Sequence, residues 1–196
     1  MQPVQIAKYV THQNLIRPNR RISWQTSLSL SDTKTMLWQQ IRFALAELGV
    51  TDAVPMPQYA EVAEWLSNNN GKGLLLYGNC GRSKTLLARY VIPQMLMQLH
   101  GKVTHYYDAI NLDRYLSEAL QYGIVVVDDI GAETQNTFKD IPFARIVDRA
   151  EKQGKIVIAT SNLTGEQLKA FYGDRIFDRI CGNMTRIMFT GESLRK

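Results

Sequence analysis

Five short strand-like runs, GLLLYG, KVTHYYD, GIVVVDD, KIVIATSN and TRIMFTG, alternate with stretches that carry the spacing of amphipathic helices: SKTLLARYVIPQMLMQL, INLDRYLSEAL, PFARIVDRAEKQ and GEQLKAFYG. Strands that are apolar on both faces cannot leave one side to water. They require cover above and below, and the helices between them supply it, which predicts a parallel sheet in an α/β fold of three layers. This alternation begins near residue 54.

Upstream, SDTKTMLWQQIRFALAELGV reads as a helix, with Ser31 and Asp32 as candidate caps and Met36, Leu37, Ile41, Ala44, Leu45 and Leu48 at helical spacing before Gly49. The two prolines in Val50 to Pro57 mark a connector, and a second helix follows them. We therefore divide the 196 residues into an N-terminal basic and helical segment, 1–53, and a core, 54–196. The net charge of +5 is concentrated in residues 1–50, where Lys8, Arg17, Arg20, Arg21, Lys34 and Arg42 face only Asp32 and Glu47. Such a cluster is drawn to nucleic acid or to acidic protein surfaces, or simply forms a solvated face.

Several classes drop out. No apolar run approaches the roughly 20 residues that span a bilayer, and the start lacks the plan of a secretory signal, so a cytoplasmic chain is expected. Two cysteines, Cys80 and Cys181, are too few for a disulfide framework. Neither they nor His12, His100 and His105 have metal-ligand spacing.

The chemistry starts at LLLYGNCGRSKTLLARY, where an apolar strand passes through two glycines into Lys84, Thr85 and a helix. The spacing is that of a phosphate-binding loop, G-x-x-x-x-G-K-[S/T], with Ser83 where the second glycine belongs. In such a loop backbone N–H groups and the positive helix end wrap phosphates, the lysine reaches the outer ones and the hydroxyl holds magnesium. The candidate nucleotide-contacting residues are Gly78, Asn79, Cys80, Gly81, Arg82, Ser83, Lys84, Thr85 and Leu86. If position 83 needs a positive φ, serine costs on the order of 1 kcal/mol there, a cost that leaves room for weakened binding and does not require its loss. Taken alone, the loop could also be a chance strand-turn-helix.

YGIVVVDDIGAE corroborates it. A buried strand that ends in two acids places Asp128 at the carboxyl edge of the sheet, where it can bind magnesium through water, and aims Asp129 at an attacking water; Glu133 follows closely and is a further catalytic candidate. IATSN brings Asn162 to the same edge, either to orient water or phosphate or to cap the helix at GEQLKAFYG, a task open to Ser161 and Thr164 as well.

The order of these parts, with ATSNLTGEQLKAFYGDRIFDRI and the tail MFTGESLRK, resembles the DnaC/IstB-type helicase-loader ATPases, a branch of the AAA+ P-loop proteins, over roughly residues 55 to 196. The resemblance implies that Asp128 is the magnesium-linked acid, Asp129 the catalytic carboxylate and Asn162 the phosphate sensor. It implies an arginine finger at Arg179, with Arg175 supporting or competing, that would act on the nucleotide of a neighbouring subunit, and a nucleotide contact at Arg195. Surface ion pairing with Asp174, Asp178 or Glu192 is the plainer reading of these arginines. ATP or ADP with Mg2+ would be the cofactors, a homo-oligomer the ATP-bound form, a replicative DNA helicase the partner, and single-stranded DNA a second candidate partner. Only one helix fits between Asp108 and Gly123, where DNA-gripping loaders carry an additional element, and no C-terminal helical lid is expected. Ile6 to Trp24 with Leu37, Trp38 and Ile41 is the expected docking surface. Two rivals remain: a transposition helper that uses the same ATPase on duplex DNA and a transposase, and a non-hydrolysing interaction protein whose site decayed at Ser83.

Overall fold

The computed structural model describes residues 21–79, 81, 83–133 and 141–190. Cys80, Arg82, Arg195 and the part of the docking segment before residue 21 lie outside them. Helices α1 (Leu30–Ala46) and α2 (Pro57–Ser67) precede β1 (Gly73–Gly78). A short α3 (Lys84–Leu86) runs through a π-helical turn (Leu87–Val91) into α4 (Ile92–His100). Then come β2 (His105–Asp108), a 3-10 turn (Ala109–Asn111), α5 (Leu112–Ala119), β3 (Ile124–Asp128), α6 (Pro142–Gln153), β4 (Ile156–Ser161), α7 (Gly165–Tyr172), α8 (Asp174–Asn183) and β5 (Met184–Phe189).

All five strands lie in one sheet, ordered β2-β3-β4-β1-β5, and every neighbouring pair is parallel. Because side chains alternate across a strand, β1 sends Leu74 and Leu76 to one face and Leu75 to the other, and each joins a separate buried cluster. Val126 and Ile158 share the first face with Ile92, Leu96 and Trp65; Val125, Val127 and Val157 share the second with Leu116, Phe143, Ile146 and Ile180. The three layers expected from the apolar strands are thus present. Order alone was not readable from the periodicity, since it depends on which crossover packs where.

The π-helical turn has a local cause. Pro93 has no N–H to offer Arg89, four residues back, so the regular ladder is interrupted within a helix that the spacing predicts as continuous.

Two expectations for the N-terminal part are corrected. Leu37 and Ile41 are not a free docking face: both are buried, in the cluster that also holds Leu74 and Leu76. Trp24 is buried with them, its ring edge-on to Trp65 at 4.9 Å and its indole N–H donating to the Trp65 carbonyl at 3.3 Å. Only Trp38 of the three helix residues keeps partial exposure, stacked on Tyr59. The expected caps Ser31 and Asp32 are displaced by Ser29, whose Oγ accepts from the Asp32 N–H at 3.1 Å while its hydroxyl donates to the Asp32 carboxylate at 2.7 Å.

Candidate functional site

β1, β3 and β4 end side by side, so their carboxyl ends deliver Gly78, Asp128 and Ser161 to one edge of the sheet. Beyond Gly78 the chain turns sharply: φ is +111° at Gly78, +75° at Gly81 and +62° at Ser83. A left-handed residue next to a right-handed one is the backbone unit from which anion-binding nests are built, and Ser83 beside the helical Lys84 is such a pair. Gly78 has a second reason to lack a side chain, because a Cβ would meet the Phe189 carbonyl oxygen of β5 at 2.3 Å.

Ser83 occupies the left-handed region with ψ +10° and makes no side-chain bond to the helix it precedes. A serine is ordinarily a good cap, but it needs extended backbone to reach back to the helix N–H groups. The strain expected from the missing glycine is therefore real.

Lys84 is buried, 5% exposed, and its Nζ donates to the carbonyls of Gly78 at 2.9 Å and Asn79 at 2.6 Å. An ammonium deep in a protein requires acceptors or an anion. Next to it, Thr85 Oγ1 donates to Asp128 Oδ1 at 3.1 Å. The same Oδ1 accepts from Thr160 Oγ1 at 2.5 Å, and Oδ2 accepts from the Tyr106 hydroxyl at 2.9 Å. Burial, then the charge of Asp128, pushes the Tyr106 phenol well above its usual value, so it stays a donor.

Asp129 turns out of the strand at φ +59°, its N–H donating to Thr160 Oγ1 at 2.9 Å. Its carboxylate accepts from Asn162 Nδ2 at 2.7 Å. Burial, then the like charges of Asp128 and Asp108, raises the Asp129 carboxyl above 3.8, against Lys84 and the Asn162 bond, which lower it. The helix at Gly165 is capped by a reciprocal pair, Thr164 and Gln167, so the capping alternative for Asn162 is filled and its amide is committed to Asp129.

Glu133 points elsewhere. It is buried and accepts from the Gly131 N–H at 2.5 Å and from the Tyr172 hydroxyl at 2.6 Å, and its own burial raises its carboxyl above 4.5. This acid ties the turn after β3 to the end of α7. Arg179 and Arg175, both on α8, are not brought to the loop edge. Arg179, 23% exposed, pairs with Asp148 and lies 2.8 Å from Glu151 on α6; Arg175, 74% exposed, lies 3.4 Å from Asp148. The acids are those of a facing helix rather than Asp174 or Asp178.

Thr160, Tyr106 and Tyr172 were not anticipated. A threonine inside the apolar run IVIATS was the one available signal, since a polar group there must find a partner.

The oxygen set fits magnesium. One hydroxyl and one carboxylate stand together, and among the described residues no group of three or more His, Cys, Asp or Glu could cage a metal. Magnesium characteristically takes one or two protein oxygens and fills the rest with water and phosphate.

No family model matches the chain. The uncharacterized protein YdaV of Escherichia coli K12 is 29% identical over 105 residues, which cover 53% of this chain and 41% of YdaV. The replicative helicase loader DnaC of Buchnera aphidicola subsp. Baizongia pistaciae is 28% identical over 85 residues, 43% of this chain and 35% of that loader. Escherichia coli K12 DnaC is 25% identical over 84 residues, 42% and 34%. The match thus spans well under half the length of these relatives. Among solved structures, DnaI aligns with a TM-score of 0.59 at 18% identity, covering 70% of this chain and 88% of DnaI. The DnaC helicase loader gives 0.59 at 18%, covering 71% and 94%. AMPPCP-bound DnaA from Aquifex aeolicus gives 0.55 at 19%, covering 69% and 48%. With the parallel five-stranded sheet and the phosphate loop at its edge, these likenesses give the chain the AAA+ P-loop fold of the DnaC/IstB-type helicase loaders.

Proposed function

We propose that this chain is an ATP-binding AAA+ protein of the DNA-replication helicase-loader type, which uses Mg-ATP to control its assembly with a replicative helicase. The observation that carries the reading is that Lys84, Thr85, Asp128, Asp129 and Asn162 come to one sheet edge, with Lys84 on the Gly78 carbonyl, Thr85 bonded to Asp128 and Asn162 to Asp129. Lys84 would exchange its carbonyl partners for outer phosphate oxygens. Thr85 and Asp128 would hold the magnesium, which neutralises phosphate charge when bound. Asn162 and Asp129 would position the attacking water, with Asp129 as its base. The likeness to DnaC supports the helicase as partner.

Hydrolysis in this reading depends on assembly. Arg179 is held by Asp148 and Glu151 within its own chain, so a neighbouring subunit's phosphate would have to compete for it, while Arg175 is the more exposed candidate. The strained Ser83 favours one alternative, a protein that binds its partner without a working nucleotide site.

Calorimetry with ATP and ADP in magnesium separates the two. Binding in the micromolar range that Lys84→Ala removes supports the proposal, and partner-dependent turnover is then measured. Absence of binding in the wild type, restored by Ser83→Gly, identifies the decayed site.

A further inference from the structure

β2 and β3 pair with Tyr106 opposite Val126 and Asp108 opposite Asp128. Tyr106 therefore stands diagonally, two residues back, on the face that Asp128 shares, a separation a long aromatic side chain can bridge. Its hydroxyl does so, at 2.9 Å from Oδ2. The ring is held by its face too: the Arg89 guanidinium of the π-helical turn lies over it, 4.8 Å from the centroid.

Asp128 is consequently fixed from three directions, by Tyr106 on one oxygen and by Thr85 and Thr160 on the other. The division matters. Thr85 commits its single proton to Oδ1, which leaves its oxygen lone pairs for a cation, whereas Oδ2 is turned toward β2. A carboxylate free to rotate would lose this alignment each time it swung.

We propose that Tyr106 is a positioning residue for magnesium, which holds Asp128 in the rotamer that, together with Thr85, receives the ion accompanying a bound nucleotide. The inference rests on the nucleotide reading above. It assigns a role to the β2 strand, which no phosphate-loop motif includes.

The test is Tyr106→Phe, which keeps the ring and the Arg89 stacking and deletes only the hydroxyl. Binding of fluorescent ADP is followed across free Mg2+ and again in EDTA. The expected result is a rise of about tenfold or more in the Mg2+ needed for half-maximal binding, the scale of one lost hydrogen bond to a charged group, with metal-free affinity unchanged. An unchanged magnesium requirement overturns the inference and leaves the nucleotide reading standing. Equal losses with and without magnesium also overturn it, because they indicate packing. If a folded wild-type chain binds no ADP under either condition, the nucleotide reading itself fails. Should Tyr106→Phe be unstable, Arg89→Ala gives the same readout: a smaller rise supports the proposal and no rise overturns it.

Discussion

Replacing Ser83 by glycine should stabilise the protein. At φ +62° and ψ +10° an L residue sits in the left-handed region, at a cost of about 1–2 kcal/mol relative to a right-handed conformation. Glycine removes that cost but loses more freedom on folding, about 0.5–1 kcal/mol. No side-chain cap bond is given up, because Ser83 makes none. The expected net gain is about 0.5–1 kcal/mol, or roughly 1–4 °C in Tm for a chain of this size. Thermal unfolding followed by circular dichroism, in the absence of nucleotide, reads it directly. Ser83→Ala is the control: it keeps the strain and removes the hydroxyl, so its change should stay within about 0.5 kcal/mol. Destabilisation by Ser83→Gly, or an equal gain from Ser83→Ala, would refute the strain argument.

Ile41→Ala, on a helix that the apolar spacing assigns to an appended segment, should cost about 2–5 kcal/mol by urea unfolding because the side chain is fully buried; a loss under about 1 kcal/mol would show α1 to be peripheral. Glu133 predicts a pH signature. Burial holds its folded carboxyl above 4.5, so between 4.5 and that raised value the folded chain binds more protons than the unfolded one, and stability from this group falls as pH rises. Glu133→Gln has no such proton; its stability relative to wild type should grow through that window and level off above it, and a pH-independent difference would contradict the assignment.

The strands were legible because each is short, apolar and bounded by turn residues, and PFARIVDRAEKQ and GEQLKAFYG were read as helices to within a residue of α6 and α7. Local pattern also located Lys84, Thr85, Asp128 and Asn162, since the phosphate loop and strand ends fix their neighbours in sequence. Contacts across the sheet were not legible. Tyr106 reaches Asp128 only through the β2–β3 register, and Thr160 only because β4 lies beside β3. For the same reason Leu37 and Ile41 could be read as a docking stripe: helical spacing reveals that a helix has an apolar face, not what covers it. Helix α8 went unread as a helix because DRIFDRICGN follows Gly173 with no capping side chain to announce it.

β1 is confined at both ends by its neighbours' backbones: a Cβ at Gly73 would lie 2.2 Å from the Val157 carbonyl oxygen, and one at Gly78 2.3 Å from that of Phe189. Carbonyls locked in a ladder cannot step aside as a side-chain tip can, so any larger residue shifts the strand and carries the loop with it. On the proposed nucleotide reading, a lesion at Gly73 would therefore score with Lys84→Ala in a genetic screen, although Gly73 lies at the far end of the strand and contributes no functional group. The two alleles part company only in a melting curve, where the glycine lesion alone announces a deformed sheet.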